Sequence, residues 1–163
     1  MPQPEAIYDY FDERGELQMQ VLRYPKDSTG RKTFRQRRPN HQAQHACDEW
    51  IWDTEGVRKP IFNLPQILRK TMQPVLIVEG EKDVLTAQSL GFLATCNPGG
   101  AGKWLYHHGS YLVGRRVVVL PDNDTPGHQH AAMVIGNCLM WGVASIRVVN
   151  LLGPEGTDLS DWV

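Results

Sequence analysis

The amino-acid sequence predicts an α/β fold, in which a mainly parallel sheet is flanked by helices and follows a small, basic, β-rich N-terminal part. From about residue 73 onward, short apolar runs typical of buried strands alternate with segments of helical periodicity. Such alternation favours right-handed crossovers and a parallel sheet. Before that point the pattern suggests hairpins instead. We therefore divide the chain into an N-terminal subdomain, residues 1–72, and an α/β domain, residues 73–163.

The elements of the α/β domain follow from apolar runs, helical stripes and turn residues. The clearest strand is the β-branched run VVVL, and a helix that precedes it ends at Gly91. In chain order we predict a strand at 75–78, a helix at 81–91, a strand at 92–95, a turn-rich loop at 97–100, a short helical or irregular segment at 103–114, a strand at 117–120, a helix at 127–142 and a strand at 145–152.

The N-terminal subdomain has a different pattern. Residues 8–25 suggest two strands joined by a turn at 13–15, and residues 50–62 suggest a second hairpin with its turn at 54–56. Between them, residues 30–40 are strongly basic and include one aromatic side chain. We expect this region to be a small antiparallel sheet.

Composition narrows the class of protein. The chain has 163 residues, 41% of them hydrophobic, which suffices for a core. An apolar run near membrane-spanning length and a signal-peptide pattern are both missing, so we expect a cytoplasmic protein without membrane contact. The three cysteines form no C-x-x-C pair. His41, His45 and Cys47 lack a fourth ligand at a typical spacing, so no zinc is expected.

Charge is distributed unevenly although the net charge is only −1. A basic strip between residues 23 and 38 is opposed only by Asp27. It consists of Arg23, Lys26, Arg31, Lys32, Arg35, Arg37 and Arg38. The strip is either a solvated strand face or a contact for a nucleic-acid backbone, with Phe34 and the tyrosines available for stacking on bases.

The acidic residues of the α/β domain fall into three groups near the ends of predicted strands. Glu79 follows the first strand, Asp122 and Asp124 follow VVVL, and Asp158 with Asp161 comes after the last strand. Because ligands of open α/β sheets lie beyond the carboxyl ends of the strands, we expect these acids to meet at one edge. Such carboxylates repel one another unless a divalent cation is present, and they suit Mg²⁺.

The stretch DNDTPG fits neither of two common aspartate motifs, because its spacing is wrong for both. An EF-hand calcium loop requires an oxygen ligand at its fifth position and a glutamate at its twelfth, where this chain has Pro126 and Met133. The motif of phosphatases with an aspartyl nucleophile requires Thr or Val two residues after the second aspartate, where this chain has Pro126. A pair of metal-holding carboxylates remains.

Four stretches together resemble the TOPRIM domain, and more narrowly its versions in primase-like proteins of phages and plasmids. They are VLIVEGEKDVLTAQSLG, ATCNPGGAGKW, VVVLPDNDTPGHQHA and GTDLSDWV. The family pattern, E-G-x-x-D after one strand and D-x-D after a later one, matches residues 79–83 and 122–124. The resemblance covers residues 74–163 and extends more loosely to residues 8–70.

The resemblance implies a role for each matching residue. Glu79 corresponds to the key glutamate, a metal ligand or general acid–base, and Asp122 and Asp124 correspond to the metal-binding pair. Asp83 is the accompanying acid. Asp158 and Asp161 match a later acidic element and are implied as further metal ligands. Apart from the resemblance, Lys82 and Lys103 are candidate phosphate contacts, and a surface charge is the alternative for Lys82. Mg²⁺ is the implied cofactor, with Mn²⁺ as an alternative. We expect Glu81 to face solvent.

The implied function is a primase-like, Mg²⁺-dependent nucleotidyltransferase that makes RNA primers on single-stranded DNA. Single-stranded DNA and ribonucleotides are then its partners, with a replicative helicase as a further candidate. Two alternatives remain open: a TOPRIM-type metal-dependent nuclease, and a non-catalytic module that binds nucleic acid or the replisome. A topoisomerase is disfavoured because the chain is too short for strand-passage domains. The sequence also allows for a fragment of a larger primase.

Overall fold

The computed structural model describes residues 3–163, apart from the side chain of Ala46. The chain forms an N-terminal unit that ends at Pro60 and a C-terminal unit that begins at Ile61. This division lies earlier than the boundary predicted near residue 72. The physical reason is helix α1 (Leu64–Arg69), whose Leu64 and Ile67 are fully buried in the core of the C-terminal unit.

The N-terminal unit contains a four-stranded antiparallel sheet whose strands follow chain order. The strands are β1 (Ala6–Phe11), β2 (Leu17–Tyr24), β3 (Thr33–Pro39) and β4 (Trp50–Ile51). The turn between β1 and β2 is held by Asp12, whose carboxylate accepts the backbone N–H groups of Arg14 and Glu16, each at 2.9 Å. A local side-chain acceptor of this kind favours a turn over continued strand.

The second hairpin predicted at 50–62 is wrong. Strand β4 has only two residues and pairs with β3, where Arg38 lies opposite Ile51. Beyond it, Asp53 accepts the backbone N–H of Glu55 and closes a turn, but no return strand follows in this described stretch. Pro60 lacks the N–H that a ladder requires, which disfavours a partner strand there.

The C-terminal unit contains a parallel sheet with strand order β6-β5-β7-β8. Its strands are β5 (Val75–Ile77), β6 (Leu93–Thr95), β7 (Arg116–Val119) and β8 (Ser145–Val148). The helices besides α1 are α2 (Glu81–Ser89), α3 (Thr125–Trp141), α4 (Leu159–Trp162) and a 3-10 segment (Tyr106–Leu112). The predicted α/β fold is confirmed.

The two faces of the parallel sheet are covered differently. Val75, Ile77 and Val119 point into a core shared with α1, α3 and the 3-10 segment. Burying each such side chain contributes roughly 1.5–3 kcal/mol. The alternate residues Leu76 and Val118 line an apolar groove of about 700 Å³ on the other face. Helices α2 and α4 border this groove, so the second face is only partly covered.

Strand register brings the segments that carry the predicted acids to one edge of the sheet. Val75 pairs with Val117 and Ile77 with Val119, so β5 and β7 end level with each other. The chain therefore leaves both strands at one edge, carrying an acid from each. Within residues 3–163 the longest helices are too short or too polar to cross a membrane.

Candidate functional site

The acidic site is built at the carboxyl ends of β5 and β7, where the sequence places Glu79 and the Asp122–Asp124 segment. The backbone N–H of Leu120 donates to the carbonyl of Ile77 at 2.9 Å, which extends the pairing past the last strand residues. Asn123 braces the segment, because its side-chain amide donates to the carbonyls of Gly153 and Pro154 at 2.9 and 3.1 Å. The middle residue of D-N-D is thus structural.

Asp124 begins helix α3 as its N-cap. Its Oδ1 accepts the backbone N–H of Gly127 at 2.7 Å, and its own N–H donates to the carbonyl of Asp122 at 2.8 Å. The turn is so tight that a Cβ on Gly127 would lie 2.5 Å from the Asp122 carbonyl oxygen. Glycine is therefore required here by space rather than by a positive φ angle.

Burial and mutual repulsion disfavour ionisation of the two central acids. The pKa of Asp122 is raised to about 7, first by burial and then by the charges of Glu79, Asp83, Asp158 and Asp124. Burial also raises the pKa of Glu79, and Asp124 and Asp83 add to the effect. Glu79 Oε2 is buried without a hydrogen-bond partner among the described residues. Without a cation, Asp122 is therefore partly protonated near neutral pH.

Asp83 is held by the C-terminal helix α4. The backbone N–H and the hydroxyl of Ser160 both donate to Asp83 Oδ1, at 3.1 and 2.5 Å. The Ser160 hydroxyl also contacts Thr86 Oγ1 at 2.8 Å. Burial raises the pKa of Asp83, and the Ser160 hydrogen bonds oppose that rise. Ser160 thus fixes the orientation of a carboxylate that is only 5% exposed.

Lys82 pairs with Asp158 in this structure. Its Nζ lies 2.9 Å from Asp158 Oδ2 and 4.0 Å from Asp161 Oδ1. Although burial lowers the pKa of Lys82, the hydrogen bond and charge of Asp158 outweigh it and raise that pKa. Asp158 also caps α4, accepting the N–H of Asp161 at 2.7 Å. The predicted phosphate contact at Lys103 is an exposed residue in the loop before the 3-10 segment.

The six predicted metal ligands divide into two sets. Glu79, Asp83, Asp122, Asp124 and Asp158 influence one another electrostatically, whereas exposed Asp161 is not among the charges that raise the pKa of Asp122. Across residues 3–163, no three acidic, histidine or cysteine side chains are already arranged to hold a metal ion.

The donor set nevertheless fits a hard divalent cation. The unpartnered, buried Glu79 Oε2 and the raised pKa of Asp122 both mark oxygens that a cation would stabilise.

The basic strip is not one surface. Directly paired residues of antiparallel strands share a face, so Arg35 and Arg37 lie with Leu22 and Gln20, while Arg23 lies on the opposite face with Phe34. Arg38 shares that opposite face and pairs with Asp53 at 2.9 Å, and Arg23 pairs with Glu5 at 2.5 Å. The remaining members, Lys26, Arg31 and Lys32, are exposed in the loop between β2 and β3.

Three features of the acidic site were not found by sequence reasoning. Glu81, expected to face solvent, is only 8% exposed. It begins α2, where the helix dipole favours an acid. The roles of Ser160 and Gly127 were also missed. The capping pattern D-L-S-D gives a local signal for α4, but the contact from Ser160 to Asp83 joins residues 77 apart and has no local signal.

Comparisons with known proteins agree with this architecture. The E. coli primase catalytic core superposes with a TM-score of 0.62 at 19% identity, covering 96% of this chain and 46% of that one. A DNA primase domain from Pseudomonas aeruginosa gives a TM-score of 0.64 at 20% identity, covering 94% and 44%. The Aquifex aeolicus primase, with zinc-binding and RNA polymerase domains, gives 0.60 at 20% identity, covering 94% and 35%.

Sequence comparison finds one phage protein. The gene 57 protein of Mycobacterium phage D29 is 29% identical over 109 residues, which are 66% of each chain. No family model matches the chain. The chain spans less than half the length of the primase structures it resembles. The fold is therefore that of bacterial primase catalytic cores.

Proposed function

We propose that this protein is a primase-like nucleotidyltransferase that joins ribonucleotides on single-stranded DNA with the help of Mg²⁺. The observation that carries the proposal is the convergence of Glu79, Asp122 and Asp124 at the edge of a primase-type sheet, with Asp122 kept partly protonated near neutral pH. Isolated structural acids are normally hydrogen-bonded or paired, and Glu79 Oε2 is neither among the described residues.

Glu79, Asp122 and Asp124 are the residues that would hold the cation, with Asp83 beside them. A bound Mg²⁺ supplies charge neutralisation for nucleotide phosphates and for the developing charge of phosphoryl transfer. The chain's own groups set the conditions. Asn123 and Gly127 fix the backbone of the aspartate segment, and Ser160 orients Asp83. Glu79, with its raised pKa, is the candidate for accepting the proton of an attacking hydroxyl.

The same acids are compatible with activating water, so nuclease activity is the second candidate. The raised pKa of Asp122 favours this candidate equally, because it bears on cation binding rather than on the nucleophile. The identity of the attacking group separates the two: a 3′ hydroxyl gives extension and water gives cleavage.

One assay tests both candidates. The protein is incubated with single-stranded DNA, labelled ribonucleotides and Mg²⁺ or Mn²⁺, and the products are examined for extension and for cleavage. We expect extension that depends on the cation. Cleavage without extension would support the nuclease, and the absence of both would overturn the enzymatic proposal in favour of a binding module.

A further inference from the structure

The N-terminal unit carries an ordered row of polar side chains that crosses three strands. Asp9, Gln20 and Arg37 lie directly opposite one another on β1, β2 and β3. Asp9 accepts a hydrogen bond from the Gln20 amide at 2.6 Å, and the Gln20 carbonyl oxygen accepts one from Arg37 Nε at 2.7 Å. Gln20 is only 8% exposed. The row therefore fixes the guanidinium through its Nε edge.

Arg37 in turn lies against two tryptophans. Its guanidinium carbon is 3.9 Å from the ring centroid of Trp50 and 5.4 Å from that of Trp52. A guanidinium over an indole face is attracted to it, because the face of the ring carries partial negative charge. Fixing one guanidinium against both indoles also fixes the indoles, so little rotamer freedom is left to lose when a ligand arrives.

The same two tryptophans line a cavity of about 420 Å³. Its other walls come from the loop between β3 and β4 and include the side chains of Gln42, Gln44 and His45. Trp52 is 51% exposed, so part of its indole surface is accessible to a ligand. The cavity therefore combines indole surfaces with amide and imidazole groups that donate and accept hydrogen bonds.

We infer that this cavity, the Trp50–Trp52 cavity, binds an unpaired nucleobase by stacking, with Arg37 holding the platform in place. Every base has a π face, so stacking on aromatic side chains is the usual way to bind single-stranded nucleic acid without sequence preference. Amide side chains match the polar edges of a base. The positive charge of Arg37 and Arg35 on the same sheet face suits the backbone attached to that base.

This inference rests on the proposed action on single-stranded DNA for the choice of ligand, but its test needs no catalysis. Binding of a fluorescently labelled oligothymidylate is measured by anisotropy and compared with an abasic oligomer of the same length. The two share their phosphates and differ in their bases. We expect the parent protein to bind oligothymidylate more tightly than the abasic oligomer.

The variants are Trp50→Ala and Trp52→Ala, with Phe34→Ala as a matched control. Sequence reasoning offered Phe34 as a stacking residue, but strand register places it on the face of β3 opposite to Arg37 and outside the cavity, so that earlier expectation does not apply to this site. Like Trp52, Phe34 is 51% exposed, which makes it a matched control. Removing a stacked aromatic group typically weakens binding about 5- to 100-fold per base. We expect such a loss for oligothymidylate with either tryptophan variant, no loss for the abasic oligomer, and no loss with Phe34→Ala.

Several outcomes would overturn the inference. They are equal affinity of the parent for both oligomers, equal losses for both oligomers in the tryptophan variants, an unchanged affinity of those variants, or no binding at all. Circular dichroism of the variants confirms that the sheet is intact. If Trp50→Ala does not fold, Trp52→Ala provides the test, because Trp52 is exposed and its removal disturbs the sheet less. A failure of this inference can be distinguished from a failure of the proposed function. A substitution in the acidic site such as Glu79→Gln should abolish primer synthesis while leaving the preference for oligothymidylate over the abasic oligomer unchanged.

Discussion

The acidic site and the basic strip are both runs of like charge in the sequence, yet the structure treats them in opposite ways. In the C-terminal unit, acids from separate elements are gathered and partly buried, and the resulting repulsion raises the pKa of Asp122 and Glu79. In the N-terminal unit, arginines are separated onto two sheet faces, and Arg23 and Arg38 are paired with Glu5 and Asp53. A cluster of like charges indicates a functional site when the fold keeps the charges close together and unpaired, despite their repulsion, instead of pairing them with opposite charges.

The strongest way to test that comparison is Glu79→Gln, which removes a charge while keeping shape. We expect nucleotidyl transfer or cleavage to fall at least about 100-fold, because general acid–base help is typically worth about 10²–10⁴ in rate. Folding should remain intact, since the charge is unfavourable where it stands. Full activity in this variant would place the active site elsewhere, and an unfolded variant would show that Glu79 has a structural role.

The tight turn of the acidic site is tested by Gly127→Ala, with Gly136→Ala as control in the same helix. A Cβ at Gly127 meets the Asp122 carbonyl oxygen at 2.5 Å, whereas a Cβ at Gly136 meets nothing within 4 Å. We expect Gly127→Ala to lower the free energy of unfolding by about 1–3 kcal/mol, and Gly136→Ala to raise it by about 0.5–1 kcal/mol. Urea denaturation measures both. Equal effects would mean that the turn relaxes freely.

Ser160 is a positioning residue, and its hydroxyl can be removed without substituting any of the predicted metal ligands. In Ser160→Ala, Asp83 keeps the backbone N–H but loses the hydroxyl donor. We expect the Mg²⁺ concentration that gives half of the thermal stabilisation to rise about tenfold, as for other groups that orient metal ligands. Ser89→Ala is the control, because among the described residues that hydroxyl donates only to the carbonyl of Thr86 within α2. Matching midpoints for both variants would assign Ser160 a purely structural role.

The raised pKa of Asp122 makes a prediction about pH. Because its folded pKa, about 7, exceeds its ordinary value of 3.8, the stabilising contribution is fully present below pH 4 and is lost as the pH rises through 7. With a chelator present, the free energy of unfolding of the parent should therefore fall by about 1 kcal/mol relative to that of Asp122→Asn between pH 4 and pH 8. The full difference between pKa 3.8 and about 7 would correspond to roughly 4 kcal/mol at about 1.4 kcal/mol per pKa unit. The expected loss is smaller because solvent screens this partly exposed site. Parallel stability profiles would refute the shift.

The smallest effect separates the two faces of the N-terminal sheet. Arg35→Ala with Arg37→Ala should flatten the salt dependence of single-stranded DNA binding by about 0.7 per lost phosphate contact. The opposite-face pair, Arg23→Ala with Arg38→Ala, should leave the slope unchanged, because both arginines are already paired with acids. If both double variants flatten the slope, the basic strip acts as a single DNA-binding surface. If neither changes it, the strip is only a solvated surface.

Local sequence signals account for most of the fold. The runs VLIV and VVVL predict β5 and β7 because consecutive apolar, mainly β-branched residues are typical of strands in a parallel sheet, even though one face here is only partly covered. Helix α1 escaped prediction because six residues with a proline give too little periodicity. The β4 segment was misjudged because a turn signal at residues 54–56 says nothing about whether a partner strand follows.

The acidic site was predictable only in part, for a related reason. Glu79, Asp122 and Asp124 follow strands directly, so their convergence is a consequence of parallel topology. Their roles as catalytic and metal-holding residues remain predictions. The split of the basic strip depends on strand register, which alternates side chains between faces and was not assigned from sequence. The platform of Trp50 and Trp52 depends on a contact with Arg37 across strands.

Helix α4 links the acidic site to a fluorescent side chain. Its N-cap Asp158 contacts Lys82, and its Ser160 contacts Asp83. The same short helix carries Trp162, which is 59% exposed. Indole emission responds to the polarity and mobility of its surroundings. A rearrangement of the acids that moves α4 also changes the surroundings of Trp162. Once its emission is separated from that of the other four tryptophans, this residue reports on the candidate active site without a chemical label.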